Sequence, residues 1–349
     1  MGLLRTLRYI FFTFLPDQLF SKIPETVEDL TGRVYVVTGS NSGVGLSTAT
    51  HLASMNPERL ILAVRDMHKG ETAKAQIVEE TGYDGARVEV WMLDMASFAS
   101  VIAFTERVDN ELKRLDGAVL NAGVHLPTWR TTVDGWETIL QINTIATGLL
   151  GILLLPILSK TASLPFPQNS ASTKIEPHLT MVASVAQYMG IFEERKLTED
   201  LLKTLNTDTK TDFVDRYPTS KLLLNLQTRE LAALPAARNV VVNLVDPGLC
   251  VTNIANEYNL SGWVTAIWNL FGWPPSKGAW NIMFGVMKTT PPAAFITSCE
   301  IRQDTPWSYT PVAARTQALH WKESVDVWKA ASPRVAEILE TEFGARSGI

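Results

Sequence analysis

Residues 33–46 read Arg33-Val-Tyr-Val-Val-Thr-Gly-Ser-Asn-Ser-Gly-Val-Gly-Leu46, an apolar run that leads into a glycine-rich turn. Val34, Val36 and Val37 are β-branched, which is typical of a strand covered on both faces. The glycines remove Cβ atoms where the chain turns tightly and let a ligand approach backbone N–H groups. A helix that begins near residue 43 would point its positive end at that ligand, which suits a pyrophosphate. A strand-turn-helix connection without a ligand would look the same locally, so later residues must decide.

The size and charge of the chain exclude several classes of protein. Its 349 residues, 46% hydrophobic and 19% charged, can bury a core without disulfides or metal ions. A net charge of -5 provides no basic surface for nucleic acid, so we expect no nucleic-acid partner. Cys250 and Cys299 are the only cysteines, and neither lies at a metal-ligand spacing. We therefore expect a cytoplasmic protein without a metal site.

The N-terminal residues 1–30 are predicted to form an apolar helix and a linker. Residues 3–15 place their apolar side chains at roughly helical spacing, and Pro16 is predicted to end the helix. The apolar run from Tyr9 to Leu15 is far shorter than the roughly 20 residues that span a bilayer. Three interpretations stay open: a helix docked on the protein's own core, a helix in peripheral contact with a membrane, or a secretion or lipidation signal.

From residue 31 onward, predicted strands and helices alternate, which indicates one α/β domain with a mainly parallel sheet covered on both faces. After the first strand, we predict strands at 59–64, 87–93, 117–120, 179–183 and 240–245, and an edge strand at 294–297. We predict helices at 67–80, 97–115, 135–158, 217–234 and 276–288, and further helices after Trp307. The helix at 135–158 is almost wholly apolar, but its uninterrupted apolar run, 149–158, is too short for a membrane span, so we expect the helix to be buried.

Two segments interrupt this alternation. Residues 189–216 form a charged insertion, and residues 255–280 are rich in tryptophan. Aromatic residues at this density indicate either core or dimer contacts, or a substrate lid that covers the site.

Arg65 lies twenty residues after Gly45, at the end of the second predicted strand. In a βαβ unit that binds a dinucleotide, an acidic residue here binds the ribose 2′-OH, whereas a basic residue accommodates a 2′-phosphate. The sequence therefore favours NADP(H). Asp66 follows directly and either competes for this position or points to solvent beside the next helix.

Tyr217 and Lys221 lie four positions apart on a predicted helix and hence on one face. A nearby ammonium group lowers the pKa of a phenol, which suits proton transfer to a carbonyl oxygen while hydride moves to its carbon. Ser184, at the end of a predicted strand, could polarise the same oxygen. Taken alone, this Tyr and Lys spacing is common on ordinary helices, and a strand-end Ser is often only a cap.

In their order along the chain, these features resemble the short-chain dehydrogenase/reductase family over most of residues 31–300. The matching motifs are Thr38-Gly39-Ser40-Asn41-Ser42-Gly43-Val44-Gly45, Asp94, Asn121-Ala122-Gly123, Asn143, Ser184, Tyr217-Pro-Thr-Ser-Lys221, and Pro247-Gly248 followed by Thr252. The resemblance implies a single Rossmann-type, doubly wound α/β domain with a mainly parallel sheet of order 3-2-1-4-5-6-7 and helices on both faces.

The resemblance also implies roles for the site residues. Tyr217 would be the acid/base, and Lys221 would lower its pKa and hold the nicotinamide ribose. Ser184 would orient the substrate oxygen, and Asn143 would hold a water that links Lys221 to solvent. Asp94 would contact the adenine. The full set predicted to bind the cofactor is Gly39, Ser40, Asn41, Ser42, Gly43, Val44, Gly45, Arg65, Asp94, Met95, Asn121, Ala122, Gly123, Tyr217, Lys221, Pro247, Gly248 and Thr252.

The sequence at 61–65 looks closest to the NADP(H)-using, retinol-dehydrogenase-like branch of the family, which includes many reductases of fungal secondary metabolism. Ser184 and Tyr217 are 33 positions apart, more than in compact members, so we expect the insertion 189–216 near the substrate mouth. The N-terminal extension and the tryptophan-rich segment also depart from the common pattern, and substrate specificity is expected to lie there.

The sequence thus predicts an NADP(H)-dependent oxidoreductase that interconverts a carbonyl and an alcohol on a medium-sized apolar substrate, as a monomer or homodimer. One alternative is a non-catalytic dinucleotide-binding sensor or scaffold, which would be marked by loss of Tyr217, Lys221 or Ser184. A further alternative in substrate and location is a membrane-associated lipid, retinoid or steroid reductase.

Overall fold

The computed structural model describes residues 10–167, 175–207, 215–258, 262 and 270–344. The strands are β1 (Val34–Thr38), β2 (Arg59–Val64), β3 (Val88–Met92), β4 (Gly117–Leu120), β5 (His178–Val182), β6 (Val241–Asp246), β7 (Ala294–Thr297) and β8 (Glu300–Arg302). The α-helices are α1 (Leu15–Phe20), α2 (Gly43–Ser54), α3 (Met67–Thr81), α4 (Phe98–Glu111), α5 (Thr138–Ala162), α6 (Leu201–Leu205), α7 (Arg216–Ala233), α8 (Pro275–Met287), α9 (Pro311–Ala331) and α10 (Pro333–Gly344).

All these strands form one sheet of order β3-β2-β1-β4-β5-β6-β7-β8. The first seven are parallel, which confirms the predicted doubly wound α/β fold and its strand order. Along β1, Val34 and Val36 face one apolar core, while Tyr35 and Val37 face the other. Helices α2, α3 and α8 cover one face of the sheet, and α4, α5 and α7 cover the other.

Residues 294–297 form the predicted strand, β7, but its predicted place at the edge is wrong, because β8 pairs antiparallel with β7 and forms the edge. Ser298 and Cys299 connect the two strands with positive φ angles of 53° and 56°. Two such residues form the tight hairpin turn that usually carries Asn-Gly or a similar pair. Ser-Cys gives no such signal, and a three-residue strand with two charged residues gives little periodicity.

Helix α5 is the only one in the described part of the chain that is long and apolar enough to cross a membrane. Its apolar stretch of 18 residues is 89% buried inside the protein. The helix packs against α4, α7 and α10, so it is the core helix that the sequence predicts. Trp328 of α9 is fully buried beside it, and the indole Nε1 donates a 2.8 Å hydrogen bond to the carbonyl of Ile145.

The N-terminal segment is described from residue 10, so most of the predicted helix 3–15 lies outside the described residues. A π-helical turn, Ile10–Phe14, leads into α1. The prediction that Pro16 ends the helix is wrong, because Pro16 lies in the first turn of α1, where a missing N–H costs no hydrogen bond. Helix α1 docks on the protein's own surface through Gln18, which is buried, and through an ion pair between Asp17 and Arg302.

The two unusual segments are described in part. In the insertion, the N–H groups of Leu201 and Leu202 donate to the carboxylate of Glu323 at 2.9 and 2.6 Å, so α6 packs against α9. In the tryptophan-rich segment, Trp273 is buried against the turn after β6. Residues 208–214, 259–261 and 263–269 lie outside the described residues, so the predicted substrate mouth and lid stay predictions.

Candidate active site

The crevice for a ligand lies at the carboxyl ends of the strands, where the chain leaves β1 and β4 towards opposite faces of the sheet. The glycine-rich turn after β1 forms one wall of this crevice. Gly39 and Gly43 have φ angles of 65° and 58°, which favour glycine. A Cβ atom on Gly45 would lie 2.4 Å from the carbonyl oxygen of Gly39, so a side chain there would force the turn apart.

Unsatisfied polar groups line this turn. Ser42 is the N-cap residue of α2, but its side chain caps none of the first-turn N–H groups. Among the described residues, the buried hydroxyl of Ser40 has no hydrogen-bond partner. Asn41 lies in the turn, and Gly43, Val44 and Gly45 open α2, so their backbone N–H groups form a cradle at the positive end of the helix dipole. These groups fit the pyrophosphate of a dinucleotide.

The segment after β4 is tied to the same turn. The side-chain amide of Asn121 donates to the carbonyls of Thr38 and Gly39 at 2.9 and 3.3 Å. The N–H of Ala122 donates to the Thr38 hydroxyl at 2.9 Å. The structure thus places the predicted motif at 121–123 directly beside the glycine-rich turn.

The segment after β6 closes the crevice from the other side. Gly248 has a φ angle of 79°, and a Cβ atom there would lie 2.7 Å from the indole ring of Trp273. A Cβ atom on Gly43 would lie 3.2 Å from the Thr252 methyl group, so Thr252 stands against the glycine-rich turn. The predicted residues 247–252 therefore adjoin the pyrophosphate cradle.

The residues predicted at the adenosine end lie at the ends of β2 and β3. Arg65 is exposed directly after β2, whereas Asp66 caps α3 by accepting a 3.1 Å hydrogen bond from the N–H of Lys69. This cap holds Asp66 beside the helix start, the second of the two placements that the sequence leaves open. Asp94 is half-buried and accepts a 3.0 Å hydrogen bond from the N–H of Ala96, and Met95 is buried.

The structure brings together the residues predicted to transfer a proton. The Ser184 hydroxyl stands beside the Tyr217 phenol, close enough to favour the phenolate and so to lower the pKa of Tyr217. The ammonium of Lys221 lies 5.8 Å from the centre of the Tyr217 ring and donates a 2.8 Å hydrogen bond to the carbonyl of Val182. Burial raises the pKa of Tyr217 to about 12, and burial lowers the pKa of Lys221 to about 8, opposed by the negative charge of Asp246.

Asn143 lies in a π-helical turn, Gln141–Ile145, inside α5. Its amide exchanges two 2.9 Å hydrogen bonds with the backbone of Val124 and donates a third, of 3.0 Å, to the Ser220 hydroxyl. A Cβ atom on Gly123 would lie 3.2 Å from the side-chain amide oxygen of Asn143 and 3.6 Å from the Lys221 ammonium. Asn143 therefore ties the segment after β4 to α7, with Gly123 between it and Lys221.

The π-helical turn has side-chain support that the sequence does not reveal. The Thr147 hydroxyl donates to the carbonyl of Ile142 at 2.7 Å, and the Gln227 amide donates to the carbonyl of Thr144 at 3.2 Å. Together with the Trp328 indole on Ile145, these bonds satisfy carbonyl groups where the helical hydrogen-bond pattern is interrupted. They hold the turn that positions Asn143.

Similarity to known proteins shows which family the chain belongs to. The short chain dehydrogenase family model matches residues 33–163. Short chain dehydrogenase opdN of Penicillium oxalicum is 36% identical over 279 residues, which cover 77% of this chain and 87% of that protein. Short chain dehydrogenase/reductase dmxR8 of Cryptosporiopsis sp. is 31% identical over 343 residues, which cover 92% of this chain and 98% of that protein. This chain belongs to the short-chain dehydrogenase/reductase family.

Solved structures show the same fold. An uncharacterized protein from Mycobacterium paratuberculosis matches with a TM-score of 0.62 and 24% identity, covering 87% of this chain and 96% of that one. A short chain dehydrogenase of Shigella flexneri in complex with NADP matches with a TM-score of 0.54 and 21% identity, covering 77% of this chain and 98% of that one. The protein is therefore an oxidoreductase, from a family that binds a nicotinamide dinucleotide and acts on small carbonyl or alcohol substrates.

The sequence analysis of this short-chain dehydrogenase/reductase missed two residues of the site. One lies against Tyr217, and the other lies beside the Ser184 segment. The ring of His125 stacks on the ring of Tyr217, with centroids 4.3 Å apart and an angle of 27° between the planes. Burial lowers the pKa of His125 to about 4, so this imidazole is neutral at physiological pH. The only hint in the sequence was that His125 lies two positions after the motif at 121–123. A single His in a loop does not by itself predict stacking on Tyr217.

Asp246 is the second such residue of the short-chain dehydrogenase/reductase. Its buried carboxylate accepts hydrogen bonds from the N–H of Val185 at 3.0 Å and from the Thr297 hydroxyl at 3.1 Å. Burial raises its pKa to about 6, partly offset by these donors, by the N–H of Gly248 and by the charge of Lys221. Asp246 thereby joins the carboxyl ends of β5, β6 and β7 and fixes the turn that carries Ser184.

Proposed function

We propose that this protein is an NADP(H)-dependent reductase that converts a carbonyl to an alcohol on a medium-sized apolar substrate, and runs in reverse when the alcohol is in excess. The observation that carries this proposal is the meeting of the Ser184 hydroxyl, the Tyr217 phenol and the buried ammonium of Lys221 in one site. The proposed cofactor supplies hydride when bound.

We assign the remaining roles to residues of the chain. The turn at 39–45 and the first turn of α2 bind the pyrophosphate, while Ser184 orients the substrate oxygen. Because the pKa of Tyr217 lies near 12, the phenol is protonated at neutral pH and donates its proton to that oxygen. Lys221 stabilises the resulting phenolate, and Asn143 positions the segment that carries Gly123 beside Lys221.

Incubation of the purified protein with NADPH and a panel of apolar ketones and aldehydes tests this proposal. We expect NADPH oxidation that depends on the carbonyl and is matched by alcohol formation. NADPH binding without turnover of any carbonyl would instead support the alternative, a dinucleotide-binding sensor or scaffold. The presence of Ser184, Tyr217 and Lys221 in one site favours the enzyme.

Replacement of Arg65 with Ala is expected to raise the KM for NADPH at least about tenfold more than the KM for NADH, because the charge pair between its guanidinium and the 2′-phosphate would be lost. Lys69 is an exposed basic residue one turn further along the chain, and Lys69→Ala serves as the matched control. Steady-state kinetics with both cofactors measures the effect. Equal changes in the two KM values would contradict the assignment of Arg65 to NADP(H).

We further propose that the N-terminal segment makes peripheral contact with a membrane from an otherwise cytoplasmic protein, consistent with a lipid-like, retinoid-like or steroid-like substrate. Phe11, Phe12 and Phe20 support this, because they are 59%, 79% and 80% exposed although α1 is docked. Substitution of these three by Ser should reduce sedimentation with anionic vesicles at least fivefold, with Val133→Ser as an exposed control elsewhere. Unchanged sedimentation would contradict membrane contact.

The proposal also covers the extent of the catalytic domain and the biological role of the protein. We propose one catalytic domain over residues 31–349 and a role in the secondary metabolism of a fungus, supported by the fungal relatives and by resemblance to the retinol-dehydrogenase-like branch. Whether the protein is a monomer or a homodimer does not affect the assigned roles, because all site residues come from one chain.

A further inference from the structure

The side chain of Gln18 is the main polar contact between α1 and the rest of the protein, and it is only 4% exposed. Its amide nitrogen donates to the carbonyls of Leu249 and Phe271 at 2.9 and 3.0 Å. Its amide oxygen accepts a 3.1 Å hydrogen bond from the N–H of Leu249. The Gln18 side chain therefore forms hydrogen bonds with both the N–H and the carbonyl group of Leu249, as a neighbouring β-strand would do.

Trp273 holds the same segment from its other side. The N–H of Trp273 donates to the carbonyl of Leu249 at 2.7 Å, and the N–H of Val251 donates to the carbonyl of Trp273 at 2.9 Å. The Trp273 indole in turn donates a 2.6 Å hydrogen bond to the backbone carbonyl of Gln18. Residues 249–251 are thus clamped between Gln18 and Trp273, and the two clamping residues are bonded to each other.

The clamped segment joins the two residues that reach the cofactor crevice from β6. Gly248 precedes it, and the position of a Cβ atom on Gly248 lies 3.3 Å from the Gln18 amide oxygen. Thr252 follows it and stands against Gly43 of the pyrophosphate cradle. Because only three residues separate Gly248 from Thr252, a shift of Leu249 changes the distance between Thr252 and Gly43.

We propose that Gln18 is a positioning residue for the cofactor-binding segment 248–252, so that docking of α1 and occupancy of the cofactor site strengthen each other. The inference rests on the proposed binding of NADP(H). Coupling between two sites is reciprocal: if the docked helix raises affinity for the cofactor, the cofactor must stabilise the docked helix by the same factor. The N-terminal extension is then part of the cofactor site as well as a surface segment.

Gln18→Met tests the proposal, because Met has a similar size and fits a buried helix position but cannot make the three hydrogen bonds. We expect the Kd for NADPH, measured by fluorescence titration, to rise about tenfold, within the usual range of coupling effects. We expect kcat at saturating NADPH to stay within about twofold, because Gln18 does not touch the reacting atoms. Leu19→Gln changes the neighbouring, half-exposed residue and should leave the Kd unchanged.

Hydrogen exchange supplies a second measurement that needs no variant. In the parent protein, NADPH should slow exchange in residues 15–20 and at the Leu249 amide about tenfold, since cofactor binding stabilises the docked helix. Gln18→Met with the parent Kd, or exchange in 15–20 that NADPH does not affect, would overturn the proposal.

A parent protein that binds neither dinucleotide would contradict the proposed function. The contact between Gln18 and Leu249 can still be tested in that case. Without cofactor, hydrogen exchange at the Leu249 amide should be faster in Gln18→Met than in the parent protein. An unchanged rate there would show that Gln18 does not hold Leu249.

Discussion

Replacement of Tyr217 with Phe is expected to lower kcat for carbonyl reduction by about 10³-fold while leaving the Kd for NADPH within about twofold, the range expected for loss of a general acid. The phenyl ring can keep its stacking on His125, so the variant removes the hydroxyl and little else. Stopped assays for kcat and fluorescence titration for the Kd measure the two quantities separately.

Tyr309→Phe is the matched control for this substitution. Tyr309 is 59% exposed, and its ring lies 4.9 Å from the Arg229 guanidinium rather than near Tyr217. The same chemical change there should leave kcat within about twofold, as expected for a surface substitution. Near-parent kcat in Tyr217→Phe would show that another group transfers the proton.

Gly45→Ala is expected to raise the Kd for NADPH at least about 100-fold and to destabilise the protein by about 1–3 kcal/mol, the usual cost of overpacking. Alanine normally stabilises a helix by up to about 1 kcal/mol relative to glycine, so two effects of opposite sign compete here. The added Cβ atom would lie 2.4 Å from both the Gly39 carbonyl oxygen and the Asn121 amide nitrogen. We expect overpacking to outweigh the gain in helix propensity, because the Gly39 oxygen belongs to the backbone and cannot rotate away from the new Cβ atom.

Gly85→Ala provides the comparison for Gly45→Ala. A Cβ atom on Gly85 would meet only the Val78 side chain at 3.4 Å, which is ordinary contact, and Gly85 lies outside the crevice. We expect its free energy of unfolding and its Kd to match the parent, as differential scanning calorimetry and titration can check. Parent-like NADPH affinity in Gly45→Ala would contradict a pyrophosphate site at this turn.

The sheet could be predicted closely because local pattern and tertiary environment agree along it. Buried parallel strands need continuous apolar runs, and the predicted bounds 59–64 and 117–120 match β2 and β4. The long helix at 135–158 was predicted to be buried because it is apolar on every side, and α5 is indeed a core helix. The π-helical turn within it was not predictable, since it depends on Gln227 and Trp328 from distant segments.

Docking of α1 shows where sequence patterns stop being informative. Helical spacing at 3–15 left a choice between the protein's own surface and a membrane, because apolar residues suit both. The contacts that dock α1 come from polar residues, Asp17 and Gln18, whose partners lie more than 200 positions away. No local signal relates Gln18 to Leu249.

The candidate site was predicted through its motifs, and its supporting residues were not. Asp246 belongs to none of the predicted motifs, yet its burial and its bond to Val185 join it to the Ser184 segment. The expectation that Lys221 lowers the pKa of Tyr217 also needs a physical amendment. In this structure burial dominates and raises that pKa, and the largest opposing contribution comes from the Ser184 hydroxyl.

The central claim is that this protein transfers hydride from NADPH to a carbonyl carbon, with Tyr217 as proton donor. The most direct measurement is turnover of an accepted ketone with NADPH deuterated at the nicotinamide C4 position, followed by mass spectrometry of the product. With NADPH that carries deuterium at both C4 positions, we predict an alcohol with deuterium on the former carbonyl carbon, formed about 10³-fold more slowly by Tyr217→Phe than by the parent protein. NADPH binding without deuterium in any product, or equal rates of labelling by both proteins, would contradict the account.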